Sequence, residues 1–116
     1  MMAKGLRAKR VSELLREELS RLIIYEVKDP RVKSVIITAV KVTNDLSIAR
    51  IYFRSYDVEA NLEDILSGLN RSKGFLRENI KRSLRLKKIP SFEFFIDDTV
   101  DEGFKIEQII KKLHES

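Results

Sequence analysis

Residues 71–90 read Arg71-Ser72-Lys73-Gly74-Phe75-Leu76-Arg77-Glu78-Asn79-Ile80-Lys81-Arg82-Ser83-Leu84-Arg85-Leu86-Lys87-Lys88-Ile89-Pro90. The first four form a break, because a glycine inside a helix costs roughly 1 kcal/mol relative to alanine and marks a kink. Glycine here is expected to supply a positive backbone angle or a close helix approach. After the break Phe75, Leu76, Ile80 and Leu84 form an apolar stripe, while Lys73, Arg77, Lys81 and Arg85 recur every four residues on a different face. One face packs and the other meets solvent or a ligand. Pro90 ends the pattern.

Outward from this stretch the periodicity changes twice on each side. Towards the C-terminus, residues 91–96 read as a strand with Phe92, Phe94 and Ile96 on one side, and Asp97-Asp98-Thr99 can cap a helix over 98–116 carrying Phe104, Ile106, Ile109, Ile110 and Leu113. Towards the N-terminus, Leu62, Ile65, Leu66 and Leu69 have helical spacing, with Glu63 and Asp64 at the positive end of the helix dipole. Residues 34–43 and 47–56 alternate as two strands around the Asn44-Asp45 turn. Val11, Leu14, Leu15, Leu19, Leu22 and Ile23 give a first helix over about 11–27, with either Ser12 as its N-cap or the basic arm as its extension, and Lys28-Asp29-Pro30-Arg31 stops it. The order is helix, strand, strand, helix, kink, helix, strand, helix: an α+β chain.

Its 116 residues suit one domain, 1–116, with a basic arm over residues 1–9. A chain of this size buries roughly two thirds of its unfolded surface, so it needs no disulfide or metal. With 43% hydrophobic residues and no cysteine it excludes disulfides, thiolate metal sites and thiol nucleophiles. It has no signal-peptide core and no apolar run of about 18 residues, so a soluble, cytoplasmic, monomeric protein with no membrane partner is expected. The net charge of +5 is unevenly placed: residues 1–33 carry +4, 34–70 carry −2, 71–90 carry +7 and 91–116 carry −4. The dense basic segment points to an anionic partner.

The element order is that of the type II KH domain, a three-stranded sheet covered on one face by helices, which clamps about four nucleotides with a GXXG loop. No GXXG occurs; Ser72-Lys73-Gly74 stands in its place between two helices. The chain resembles the bacterial ribosome-binding factor A family over nearly its whole length, through Arg10-Val11-Ser12-Glu13-Leu14-Leu15-Arg16-Glu17-Glu18-Leu19, Val27-Lys28-Asp29-Pro30-Arg31, Val40-Lys41-Val42-Thr43-Asn44-Asp45-Leu46, Arg71 to Arg77, Leu84 to Pro90 and Phe94-Phe95-Ile96-Asp97-Asp98. That family replaces GXXG by an Ala-x-Gly kink, and this chain carries Ser72 where alanine is usual. The resemblance implies a non-enzymatic assembly factor that binds the small (30S) ribosomal subunit and its 16S rRNA near the 5′ end, promotes late maturation and 5′-end processing, and is needed for growth in the cold. GTPase assembly factors are conceivable further partners; no cofactor is implied.

The expected RNA contacts are Arg71, Ser72, Lys73, Gly74, Arg77, Lys81, Arg82, Arg85, Lys87 and Lys88, since lysine and arginine on one face displace counterions from an RNA backbone. Lys4, Arg7, Lys9 and Arg10 are additional candidates, with a solvated tail as the plainer reading. Among Tyr52, Phe53, Tyr56, Phe92, Phe94 and Phe95 most rings are expected in the core rather than on an RNA-stacking face. No catalytic residue and no metal site is expected: His114 lies two residues from the end, and Asp97, Asp98, Asp101 and Glu102 read better as a helix cap than as Mg²⁺ ligands. Rival readings are a generic single-stranded RNA module, a Mg²⁺-dependent nuclease using those carboxylates, and an adaptor whose acidic C-terminal helix docks a basic partner.

Overall fold

Helix α1 (Met2–Tyr25) buries one stripe, Ala8, Val11, Leu15, Leu19, Leu22 and Ile23, at the three- and four-residue spacing that keeps side chains on one face. The computed structural model describes residues 2–98, with side chains from residue 5 onward. The basic arm is therefore not a tail but the first turns of α1. Ser12 lies inside the helix and caps nothing. Its hydroxyl donates to the Ala8 carbonyl at 2.8 Å and accepts from the Val42 backbone N–H at 3.1 Å. The helix ends at Tyr25, earlier than expected, and the chain passes through Val27 to a 3-10 turn, Pro30–Val32, capped by Asp29.

Strands β1 (Val35–Val42) and β2 (Ile48–Ser55) form an antiparallel hairpin, and β3 (Ser91–Ile96) adds parallel to β2, giving the order β1-β2-β3. The turn is closed by Asp45, which accepts from the Ser47 N–H at 3.0 Å and from the hydroxyls of Ser47 and Thr43 at 2.6 and 2.7 Å. Leu46 takes the left-handed angle, φ 62°, while its side chain packs against the core. A bulge at Thr38 shifts the register, and the Thr38 hydroxyl donates to the carboxylate of Asp97 beyond β3. Asp97 is thus tied to the sheet through Thr38. Beyond Asp98 the expected C-terminal helix over 98–116, with Asp101, Glu102, Phe104 and His114, lies outside the described residues.

Two helices, α2 (Leu62–Arg71) and α3 (Lys73–Leu84), make the crossover between the parallel strands β2 and β3. Asn61 caps α2 by accepting from the N–H groups of Glu63 and Asp64 at 2.9 and 3.2 Å. The helices cover one sheet face, where Ile51 and Phe53 are fully buried, so the architecture is the KH-like α+β arrangement. Of the six rings expected mostly in the core, only Phe53, Phe92 and Phe94 are buried; Tyr56 and Phe95 are exposed and Tyr52 is half-buried. Alternation explains this, since the outer face has no described helix to cover it. No helix among the described residues is long and apolar enough to cross a membrane.

The interruption between α2 and α3 also has a different cause from the one expected. Gly74 has no positive φ, and a Cβ built there meets nothing within 4 Å. Gly68 is the constrained glycine: a Cβ there would stand 3.0 Å from Val32 Cγ1, 3.3 Å from Asp29 Oδ2 and 3.4 Å from Arg31 Cβ. Its carbonyl accepts from the Ser72 N–H at 3.1 Å and from the Ser72 hydroxyl at 2.9 Å. A serine hydroxyl competing for the i−4 carbonyl loosens and bends a helix. Gly68→Val should therefore destabilise the fold by about 1–3 kcal/mol through overpacking against fully buried Val32, whereas Gly74→Ala should stabilise it by up to about 1 kcal/mol. Urea melts of the two variants check the contrast, and a tolerated valine at 68 would show that the turn is not pressed onto α2.

Candidate nucleic-acid interface

The eight cations between Arg71 and Lys88 fall into three settings. Arg71 is the last residue of α2, Lys73, Arg77, Lys81 and Arg82 ride on α3, and Arg85, Lys87 and Lys88 belong to the loop before β3. Leu76 and Ile80 bury the opposite side of α3, so its cationic stripe is turned outward by packing rather than by charge. Among the described residues none of the eight forms an ion pair. Exposed Phe75 lies beside them in the first turn of α3.

Backbone devices fix where the stripe ends. Arg85 caps α3 in the left-handed conformation, φ 51° and ψ 39°, which turns the chain away from the helix axis. The four-residue repeat consequently holds for Lys73, Arg77 and Lys81 and stops there. The Arg77 guanidinium donates to the Ile89 carbonyl at 3.2 Å and tethers the loop, while Arg82 donates to Asn79 Oδ1 at 3.4 Å. Lys88 approaches the hairpin turn closely enough that its charge contributes to lowering the Asp45 carboxyl.

The Asp-Pro turn lies near Arg71. The Arg31 guanidinium grips Asp29 through Nε at 3.1 Å to both oxygens and a second nitrogen at 2.6 Å to Oδ2, and the Arg31 N–H adds a bond of 2.9 Å. These bonds, helped by the charge of Arg71, lower the Asp29 carboxyl to about 2. Sequence reasoning used this segment as a helix stop and as one of the stretches carrying the family resemblance, with no packing role. The signal that it does more was Gly68, a residue without a side chain inside the apolar stripe Ile65 and Leu69.

Arg7, Lys9 and Arg10 lie exposed on α1, and the side chain of Lys4 lies outside the described residues. Lys9 lines a groove of about 480 Å³ between α1 and β1, together with Glu13, Arg16 and Lys41. No described hydrogen bond or ion pair connects these arm residues to the 71–88 segment. Among the described residues no group of three carboxylate, histidine or cysteine side chains is arranged to hold a metal; Asp101 and Glu102 lie outside them.

Several known proteins resemble the chain. The ribosome-binding factor A family profile matches residues 7–110. A ribosome-binding factor A from Thermodesulfovibrio yellowstonii is 39% identical over 107 residues, covering 92% of this chain and 90% of the relative. The crystal structure of ribosome-binding factor A from Thermus thermophilus superimposes with a TM-score of 0.68 at 25% identity, covering 77% of this chain and 93% of that one. A homology model of the Thermus thermophilus factor, fitted into a cryo-electron-microscopy map of its complex with 30S, matches with a TM-score of 0.55 at 26% identity, over 71% of this chain and 90% of the other.

The lowered carboxyls have a defined consequence for stability. Asp29 and Asp45 both titrate at about 2 in the folded chain against an ordinary 3.8. Their contribution is complete above the unfolded value and is lost as the pH falls from about 4 towards 2. Thermal melts at pH 7, 4, 3 and 2 should show a fall in that window, and Asp29→Asn should lower the midpoint at pH 7 while flattening the fall. An unchanged slope in Asp29→Asn would remove Asp29 from the acid response.

Proposed function

The chain belongs to the ribosome-binding factor A family, and from that premise we propose that it binds the small ribosomal subunit and its 16S rRNA near the 5′ end, favouring late maturation and 5′-end processing without cleaving RNA itself. The observation that carries the RNA contact is the run of eight cations from Arg71 to Lys88 without an ion pair among the described residues. Such a surface is self-repelling until a polyanion meets it, and each phosphate contacted releases condensed counterions. The α3 stripe of Lys73, Arg77 and Lys81 lies along the phosphates. Arg82 and the loop residues Arg85, Lys87 and Lys88 extend the contact beyond the helix end, and Arg71, Ser72 and Gly74 bring the bend against it.

The protein acts by population shift. A factor that binds one arrangement of the precursor RNA more tightly than another favours it by that difference in affinity and no more. Maturation then follows through nucleases that act on the favoured arrangement. Cleavage by the protein is not required, and purified protein with Mg²⁺ should leave precursor 16S rRNA intact on a denaturing gel. Cleavage abolished by Asp98→Asn with Asp101→Asn would instead favour a nuclease.

The contact is tested at Lys73 and Lys81, whose side chains make no described hydrogen bond, rather than at Arg77, which also holds the loop. Lys73→Ala and Lys81→Ala should each lower the salt dependence of 30S binding by about one counterion, with folding intact, because exposed cations contribute little to stability. Co-sedimentation with purified 30S subunits at several salt concentrations reads the slope. Unchanged binding in the double variant removes α3 from the interface.

A further inference from the structure

The face of the sheet turned away from the helices carries a second surface suited to RNA. Register places Ala39, Tyr52 and Phe95 in one row across the three strands, with Lys41, Arg50 and Glu93 in the next row and Ile36 and Arg54 paired on the other side. The rings of Tyr52 and Phe95 are stacked, with centroids 5.5 Å apart and 27° between their planes. Ala39 is too small to shield Tyr52 from its own side. Lys41 reaches over the Tyr52 ring, Nζ lying 5.4 Å from its centroid. Phe95 of that row and Ile36 beside it remain 40% and 47% exposed, so no described element covers these two side chains.

Lys41 also lines the groove between α1 and β1, where Lys9 and Arg16 stand against Glu13. On the sheet, Arg50 lies 3.7 Å from Glu93, a pair loose enough for the guanidinium to be shared with a phosphate. A cationic path therefore runs from the first turns of α1, over the β1 edge, to two adjacent rings. We infer that this face holds a single-stranded segment of RNA, its backbone following Lys9, Arg16 and Lys41 and a base stacking on the Tyr52–Phe95 pair. The chemistry is that of sheet-based RNA binders, in which exposed rings take unstacked bases and flanking cations follow the phosphates. The inference rests on the reading that ribosomal RNA is the partner, and adds a contact on the opposite side of the sheet from α3. One protein then engages two RNA segments at once, which gives it a geometric means of selecting their relative arrangement.

The test uses a fluorescently labelled oligouridylate of about 12 nucleotides, within the usual span of single-strand sites, alongside purified 30S subunits, with the full-length protein. Tyr52→Leu combined with Phe95→Leu should weaken oligouridylate binding on the order of 5- to 100-fold, while Tyr52→Phe should bind as the parent does. Lys41→Ala should weaken it less and reduce the salt slope by about one; this exposed substitution leaves the core untouched and serves if the ring variants fail to fold. Parental binding in a folded ring variant, or in Lys41→Ala where no ring variant folds, overturns the inference. Loss of 30S binding with oligouridylate binding retained also overturns it, in favour of a ribosomal protein on this face. Loss in the α3 lysine variants with none in the sheet variants overturns it while leaving the proposed function standing; parental binding in both sets removes both.

Discussion

The contact of Gly68 with the Asp-Pro turn governs the placement of the basic surface. Val32 is fully buried and its Cγ1 lies 3.0 Å from where a Gly68 Cβ would stand. Asp29 cannot withdraw, because the Arg31 guanidinium and backbone N–H hold its carboxylate from two directions. The turn therefore fixes α2 along its length, and the same Gly68 supplies the carbonyl to which Ser72 donates through both its N–H and its hydroxyl. Four residues separate the packing contact from the bend, one helical turn, so any displacement of Gly68 is passed directly to Arg71, Ser72 and Lys73. Charge follows geometry here: the Arg31 bonds chiefly lower the Asp29 carboxyl, and Arg71 is near enough to add to that effect.

Much of this was legible in the sequence where periodicity carried it. The stripes of α1, α2 and α3, the alternating strands and the cationic repeat of Lys73, Arg77 and Lys81 follow from the 3.6- and 2-residue periods, which depend only on local geometry. The reading failed where a residue's role is set by something distant in sequence. Ser12 has the composition of an N-cap, yet the Val42 N–H comes from 30 residues away to use it. Gly74 has the local context of a kink glycine, yet it faces open space, while Gly68 meets a turn that precedes it by more than 30 residues. Most of the six rings were expected inside because helices cover one face of the sheet. Which face of the sheet the helices choose is a tertiary fact, and alternation alone cannot say that three of six rings fall on the uncovered side.

Edge protection links α1 to the same logic. Strands β1 and β3 are both edges of a three-stranded sheet, and an unpaired edge invites pairing with another chain. Ser12 occupies the Val42 N–H, and the Thr38 bulge breaks the regularity of the edge at the point where its hydroxyl reaches Asp97. Thr38 and Asp97 belong to opposite margins of the sheet, so their bond ties the two edges across β2. The outer face is thereby held in a fixed register while no described element covers its centre. That combination separates the requirement for a stable sheet from the use made of its exposed rings.

The cationic segment divides into a rigid half and a tethered half, and this division limits how it can meet RNA. On α3 the spacing of Lys73 and Lys81 is set by the helix, about 12 Å along its axis at 1.5 Å per residue, so those charges match phosphates only along one direction. Beyond the left-handed Arg85 the loop has no such spacing of its own. It borrows position from Arg77, which donates to Ile89, and from the hairpin turn, where Lys88 lies near the lowered Asp45 carboxyl. Arg77 spends one of its five N–H donors on this tether, which leaves the others to meet an anion with the loop still held. The proposed RNA contact along α3 and the placement of Arg85, Lys87 and Lys88 therefore meet in one side chain: the Arg77 guanidinium can hold the loop against the helix end with one N–H while its other donors face the backbone that the loop cations would follow.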